Sequence, residues 1–195
     1  MKHINILVLM FSLIASTSLF AAATSFKVET KKSHLKWTGK KVTGKHFGKV
    51  SVKSGELKFE GNDLKGGEFL IDMTSITVDD LTNQEWNTKL VNHLKNDDFF
   101  SVDKHKEAKV TIKSVTLGKG VYNVTADLTI KGITKPVYFD ADIQMKKDVV
   151  TAKANITINR TLWNVKYGSG KFFKDLGDKM IYDDVEIEVN LTAKK

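Results

Sequence analysis

The chain has 195 residues, 41% hydrophobic and 28% charged, which are the proportions of an ordinary globular protein, and its length fits a single domain. It contains no cysteine, which excludes disulfides and leaves stability to the core alone. The net charge is +8, yet lysine pairs such as Lys31–Lys32 and Lys146–Lys147 are scattered and interleaved with acids. That pattern fits a solvated basic face, the alternative being transient attraction to an anionic membrane surface or to nucleic acid.

Residues 1–23 read as a secretory signal peptide. Lys2 supplies a positive start, the stretch from Ile4 to Ile14 is mostly apolar, and Ala21, Ala22 and Ala23 offer small residues for cleavage. The apolar segment is shorter than the roughly 20 residues of a membrane span. Removal after Ala23, or after Ala22, leaves a mature domain over residues 24–195 in the periplasm or outside the cell. No cysteine at the cleavage site offers an attachment point for lipid.

From Phe26 onward apolar residues alternate with polar ones. Phe26 and Val28, then Leu35 and Trp37, begin the pattern, and Gly39, Gly44 and Gly48 punctuate the next connection. Val50 and Val52 lead through Ser54 and Gly55 to Leu57 and Phe59, which reads as a hairpin; Gly61, Asn62 and Asp63 turn the chain into Phe69, Ile71 and Met73. Between Thr82 and Leu94 the period changes. Trp86, Leu90 and Leu94 fall four apart on one face of a helix, and Thr82 with Glu85 carries a capping-box signature. This predicts one inserted α-helix near residues 83–95, its apolar stripe closing an end of the β-structure. Phe99 and Phe100 follow in a polar loop and are expected to insert.

Strands resume with Val110 and Ile112, then Val115 and Leu117 after a parity shift that predicts a bulge. The clearest hairpin lies beyond. Tyr122, Val124, Ala126, Leu128 and Ile130 share one face of the outbound strand, and Val137, Phe139, Ala141 and Ile143 share one face of the return. Pro136, the only proline, belongs near the start of the return strand because it lacks an N–H for the ladder. Lys147 and Asp148 turn into Val150, Ala152, Ala154, Ile156 and Ile158. A stretch rich in aromatics and glycine runs from Arg160 to Tyr182, and Val185, Ile187, Val189 and Leu191 form the last strand. Strands recurring in this way predict an all-β antiparallel barrel or sandwich.

The run His93 to Val110, HLKNDDFFSVDKHKEAKV, resembles the signature of the YceI-like family of polyisoprenoid-binding proteins, in which a His-Leu pair precedes a double Phe. ADLTIKGITKPV, from Ala126 to Val137, resembles the family's hairpin motif, and Arg160 with the last strand is similar to its closing pattern. The chain departs from it at Leu90 and Val91, where many members carry Arg-Asp, and at His105 and Lys106, where they carry Tyr-Pro. The resemblance implies a lipocalin-like, up-and-down β-barrel of about eight strands, wide enough to hold a single ligand. It also implies an exported, non-catalytic carrier with a long polyisoprenoid lipid, such as a quinone or prenyl carrier, in an apolar lumen.

Fatty acids or amides are the alternative cargo. A cationic surface-binding protein and a hydrolase are the alternative classes, although Gly168-Ser169-Gly170 is a glycine turn and not a Gly-x-Ser-x-Gly elbow. No aromatic-and-basic stretch supports a nucleic-acid partner. The histidines lack metal-ligand spacing and no cofactor is implied; a dimer through an exposed edge or aromatic patch is compatible with the pattern.

The expected ligand-binding residues are Trp86, His93, Phe99, Phe100, Val124, Ala126, Leu128, Phe139, Ala154, Ile156, Arg160, Trp163, Tyr167 and Phe172. His93 either bonds a polar head group or serves as a cation at the helix C-terminus. Arg160 either reaches the lumen mouth or pairs with Asp183 or Asp184. The aromatic residues, Phe173 among them, either line a lipid tunnel or pack as core.

Overall fold

Alternation with period two produces strands with one apolar face, and in the computed structural model, which describes residues 23–195, nine of them are present. They are β1 (Ala23–Val28), β2 (His34–Lys41), β3 (Gly44–Glu60), β4 (Asp63–Asp72), β5 (Glu107–Leu117), β6 (Tyr122–Ile130), β7 (Ile133–Lys146), β8 (Val149–Asn159) and β9 (Ile181–Lys194). Residues 1–22, nearly all of the segment read as a signal peptide, lie outside the described residues.

From β2 to β9 each strand pairs antiparallel with the next, and β9 pairs back with β2, so eight strands close into an up-and-down barrel. Closure removes the free edges on which an open sheet would aggregate. β1 stands outside this ring. It pairs with Glu56–Glu60 of β3 and with Ala193 and Lys194 of β9, prolonging the position of β2 across a 3₁₀ turn at Thr30–Lys32.

The up-and-down order sorts the connections onto two rims. One rim carries tight turns at Gly61–Asn62, 118–121 and Lys147–Asp148. Here the interior is filled: the rings of Phe26 and Phe59 meet edge to face at 5.4 Å, surrounded by buried Leu57, Leu64, Val150 and Ala193. The other rim carries the long connections 73–106 and 160–180, and is called the helix rim below.

Three expectations about local structure are corrected. Ser54 and Gly55 do not turn the chain; β3 runs unbroken for 17 residues with a bulge between Val52 and Ser54. Gly55 is a close-approach residue, since a Cβ there would sit 2.5 Å from the Phe69 ring of the neighbouring strand. The helix, α1 (Gln84–Lys95), is capped by Asn83, whose Oδ1 accepts from the Trp86 N–H at 3.1 Å, and not by Thr82. Its inner stripe is Leu90, Val91 and Leu94, continued by Asn87, which donates to the carbonyls of Val78 and Leu81 at 2.7 and 3.0 Å. Trp86 lies outside that stripe and is 56% exposed. Steps of four residues overshoot a 3.6-residue turn by about 40° each, so the true face follows the i, i+3, i+4, i+7 pattern from Asn87.

Other expectations match. The predicted bulge falls between Ile112 and Ser114. The β6–β7 hairpin turns on Lys131 (φ 50°) and Gly132 (φ 73°), a two-residue turn in which both residues take positive φ. Pro136 stands where β7 has β6 on one side and no β8 on the other, because β7–β8 pairing stops at Ala141 and Ala154. No ladder bond is lost to the proline. Beyond that point β7 and β8 diverge toward the helix rim, and the buried side chain of Trp163, just past β8, reaches across to donate its indole N–H to the Leu128 carbonyl at 3.0 Å.

After β4 the chain runs along the first half of β3, with Thr77 N–H donating to the Lys49 carbonyl at 3.0 Å and Asp79 N–H to the Phe47 carbonyl at 2.8 Å. Gly48 makes this approach possible, since a Cβ there would lie 1.9 Å from the Thr77 carbonyl oxygen. Gly48→Ala is expected to lower unfolding free energy by about 2 kcal/mol through overpacking, read from urea denaturation; an unchanged midpoint contradicts the packing described.

Candidate functional site: the barrel lumen

The inward rows of all eight ring strands border one cavity of about 280 Å³, reckoned as the room open to the centre of a water molecule. Its wall is built of branched and aromatic side chains such as Leu35, Val52, Ile71, Leu128, Ile156 and Ile187. A cavity of this lining gives water no partners, so it favours apolar occupants.

Polar side chains meet the cavity chiefly at the helix rim. On β2 the inward row Leu35, Trp37, Gly39 ends in Lys41, and on β3 it passes through Val50, Gly48 and His46. The His46 Nδ1 lies 2.7 Å from Asp80 Oδ2, and Asp80 Oδ1 accepts from the Phe47 N–H at 2.9 Å. Burial acts to raise the Asp80 pKa, but the Phe47 and His46 contacts together outweigh it and hold this carboxyl below its ordinary value.

Arg160, at the end of β8, is 4% exposed and borders the cavity. Its guanidinium is occupied by the chain that follows: Nη1 donates to the Val165 carbonyl at 2.7 Å, Nε to that of Tyr182 at 3.1 Å and Nη2 to that of Ile181 at 3.1 Å. Asp183 Oδ1 lies 3.7 Å from Nη2, too far for a hydrogen bond, and is buried without a hydrogen-bond partner. Burial pushes the Arg160 pKa down, and the Asp183 charge opposes that. Of the two sequence readings, the pairing with Asp183 describes the geometry, and the backbone carbonyls take most of the fork. Arg160 ties the two ends of the long 160–180 connection together.

Val124, Leu128, Phe139, Ala154, Ile156, Phe99, Phe100, Arg160 and Trp163 all lie on the cavity wall. Ala126 is fully buried but off the wall. His93, Trp86, Tyr167 and Phe172 are also off it. The His93 ring packs edge-on to Phe99 at 4.9 Å and to Tyr167 at 4.6 Å, and its Nε2 is 3.8 Å from Asp98 Oδ2. Trp86, Tyr167 and Phe172 are exposed.

The wall also contains residues left out of the expected set, among them Trp37, Val52, Ile71, Val110, Ile187 and Val189. The alternation that located β2, β3, β4, β5 and β9 already marked their inward faces. Lys41 and His46 fall in the stretch that the glycines marked as a connection; it is instead paired strand, Gly39 and Lys41 in β2 and Gly44, His46 and Gly48 in β3, so no alternation pointed to either side chain. Among the described residues no group of three His, Asp or Glu side chains converges to hold a metal ion, and no helix is long and apolar enough to cross a membrane.

A closed antiparallel barrel, sealed at one rim and enclosing an apolar cavity, is the architecture of the lipocalin-like ligand-binding barrels. The chain matches the YceI-like domain over residues 26–193 and belongs to that family. Burkholderia cenocepacia BcnA has a similar structure, with a TM-score of 0.67 at 24% identity over 86% of this chain and 99% of that one. A polyisoprenoid binding domain from Saccharophagus degradans gives a TM-score of 0.63 at 13% identity over 87% and 97%. Among curated relatives, a UPF0312 protein of Vibrio parahaemolyticus is 27% identical over 128 residues, 64% of this chain and 65% of its own. A UPF0312 protein of Photorhabdus laumondii is 43% identical over 51 residues, 26% and 27% of the two chains. The chain thus spans between about a quarter and two thirds of the length of these curated relatives.

Two measurements check the site's internal bonding. Arg160→Met is expected to cost about 3 kcal/mol of stability, because it leaves buried carbonyls and a carboxylate unpaired, and Arg160→Lys to restore less than half of it. Full stability in Arg160→Met contradicts this account. Because the folded-state pKa of Asp80 is depressed, its contribution is complete above the ordinary aspartate value of about 3.9 and is lost as pH falls through the folded value. The urea midpoints of wild type and Asp80→Asn should therefore differ at pH 6 and converge at lower pH; a gap independent of pH excludes the linkage.

Proposed function

We propose that this protein is an exported, non-catalytic carrier that takes a long polyisoprenoid lipid, such as the tail of a quinone or of a prenyl carrier, into the barrel lumen. The observation that carries the reading is the apolar cavity bordered by all eight ring strands and sealed at the tight-turn rim. Each methylene transferred from water into such a wall contributes about 0.8 kcal/mol, so a tail needs no hydrogen bonds to be held. Ordering the flexible chain opposes binding and sets the useful affinity.

The choice of a prenyl tail over other lipids draws support from the polyisoprenoid binding domain among the structural neighbours. Export draws support from the composition of residues 1–23. A polar head group, if the cargo carries one, would sit at the helix rim beside Lys41 and His46, where polar side chains meet the cavity.

Mass spectrometry of organic extracts from protein purified without detergent tests the cargo. A prenyl lipid near one equivalent is expected; an empty lumen, or fatty acids alone, overturns it. Ala154 faces Ala141 and Val189 across the ladders and lies on the wall, so Ala154→Trp should fold and carry at least fivefold less lipid. Undiminished lipid in a folded variant places the cargo elsewhere. N-terminal sequencing tests export, with a start at Ala23 or Thr24 expected and a retained Met1 against it.

A further inference from the structure

Nine large hydrophobic side chains are exposed among the described residues, and their distribution is uneven. Leu117 and Tyr138 stand away from the helix rim. The other seven lie at it: Val42 in the β2–β3 turn, Trp86 on α1, Tyr182 opening β9, and Leu162, Tyr167, Phe172 and Phe173 in the 160–180 connection.

These segments are joined into one surface. The Val42 N–H donates to the Met180 carbonyl at 3.2 Å, and the His93 ring meets Tyr167 at 4.6 Å, which ties the turn and the helix to the same connection. Phe172 and Phe173 are adjacent and are 45% and 46% exposed. An apolar patch held open to water at one pole of a molecule marks a contact surface.

The charge around this patch says what the contact is. Between Leu162 and Lys179 there are four lysines, Lys166, Lys171, Lys174 and Lys179, against Asp175 and Asp178, and none of the four takes part in an ion pair among the described residues. Lys166 Nζ lies 4.7 Å and Lys171 Nζ 6.0 Å from the centre of the Phe172 ring, and Lys89 Nζ lies 5.0 Å from that of Trp86. Aromatic rings flanked by lysines suit the boundary of a bilayer, where the ring enters at the level of the head groups and the ammonium groups stay among the phosphates. Each lysine at such a surface contributes about 1 kcal/mol when the lipids are anionic.

We propose that the helix rim docks the barrel onto the surface of an anionic lipid bilayer, with Phe172 and Phe173 entering the head-group region and the neighbouring lysines on the lipid phosphates. The tight-turn rim, filled by Phe26 and Phe59, faces away from the bilayer. Docking at this rim brings the polar end of the cavity to the membrane, so a water-insoluble cargo passes between bilayer and lumen without crossing bulk water. The docking surface itself stands apart from the identity of that cargo.

Vesicle co-sedimentation tests it, using the protein as recovered from the cell, with vesicles of phosphatidylcholine alone or containing 30 mol% phosphatidylglycerol. Binding to the anionic vesicles, at least tenfold weaker to the neutral ones and weakened by salt, is expected. The Phe172→Ser/Phe173→Ser protein should lose at least tenfold in binding with an unchanged melting temperature, and Leu117→Ser should bind like the wild type. Absence of binding to anionic vesicles, or binding that survives the double substitution, overturns the proposal. So does sedimentation velocity showing a dimer that the double substitution dissolves, because the patch then meets a second copy of the chain. These vesicles contain no prenyl lipid, so the assay reads docking whether or not the lumen holds one.

Discussion

Closure of eight strands into a ring is the constraint on which the rest of this structure depends. Once the ring closes, every second residue of every strand must enter a common interior, and only apolar side chains can do so without leaving polar groups unsatisfied. A ring of this size is too wide for those side chains to meet fully at the middle. At the tight-turn rim, paired aromatic rings and the small Ala193 fill it; halfway up, the alanines of β8 leave room. The cavity is the remainder of a geometric mismatch between ring and side chains, and it is apolar because the row that makes it had to be.

The ring is completed by groups outside the ladders. β7 and β8 separate beyond Ala141 and Ala154, and the segment after β4 runs beside β3 as a substitute strand. Trp163 and Arg160 hold the connection that spans the helix rim, each by hydrogen bonds to backbone carbonyls. A buried arginine is suited to this because its planar fork serves several carbonyls at once. Its neighbour Asp183 moderates the charge without consuming the donors.

The molecule is therefore polarised along its axis. One rim is packed and closed; the other combines the polar margin of the cavity, the helix, and a connection whose aromatic residues are turned outward among lysines. Ladder bonds are fewest toward the helix rim, where β7 and β8 no longer pair beyond Ala141 and Ala154. The strands thus fix the molecule's shape, and the long connections at that rim carry most of its exposed aromatic side chains.

What the amino-acid sequence determined alone was local. Alternation over β6, β7, β8 and β9 named both the strands and their inward faces, because period two is written in near neighbours and needs no knowledge of the fold. The pairing of β6 with β7 as a hairpin and the bulge in β5 were legible for the same reason, whereas the exact turn residues, Lys131 and Gly132, came from the structure. Tertiary structure decided the rest. Ser54-Gly55 has the chemistry of a turn, yet the chain stays extended there because it pairs with Leu70 and Phe69 of β4, and the glycine leaves room for the Phe69 ring. Trp86 and Leu90 look equivalent by spacing, but the barrel takes the Leu90, Val91 and Leu94 face and leaves the tryptophan in water. Phe172 and Phe173 are apolar enough for a core and lie outside it, because burial depends on what the rest of the chain places opposite a residue, and that follows from long-range pairing which no local pattern contains.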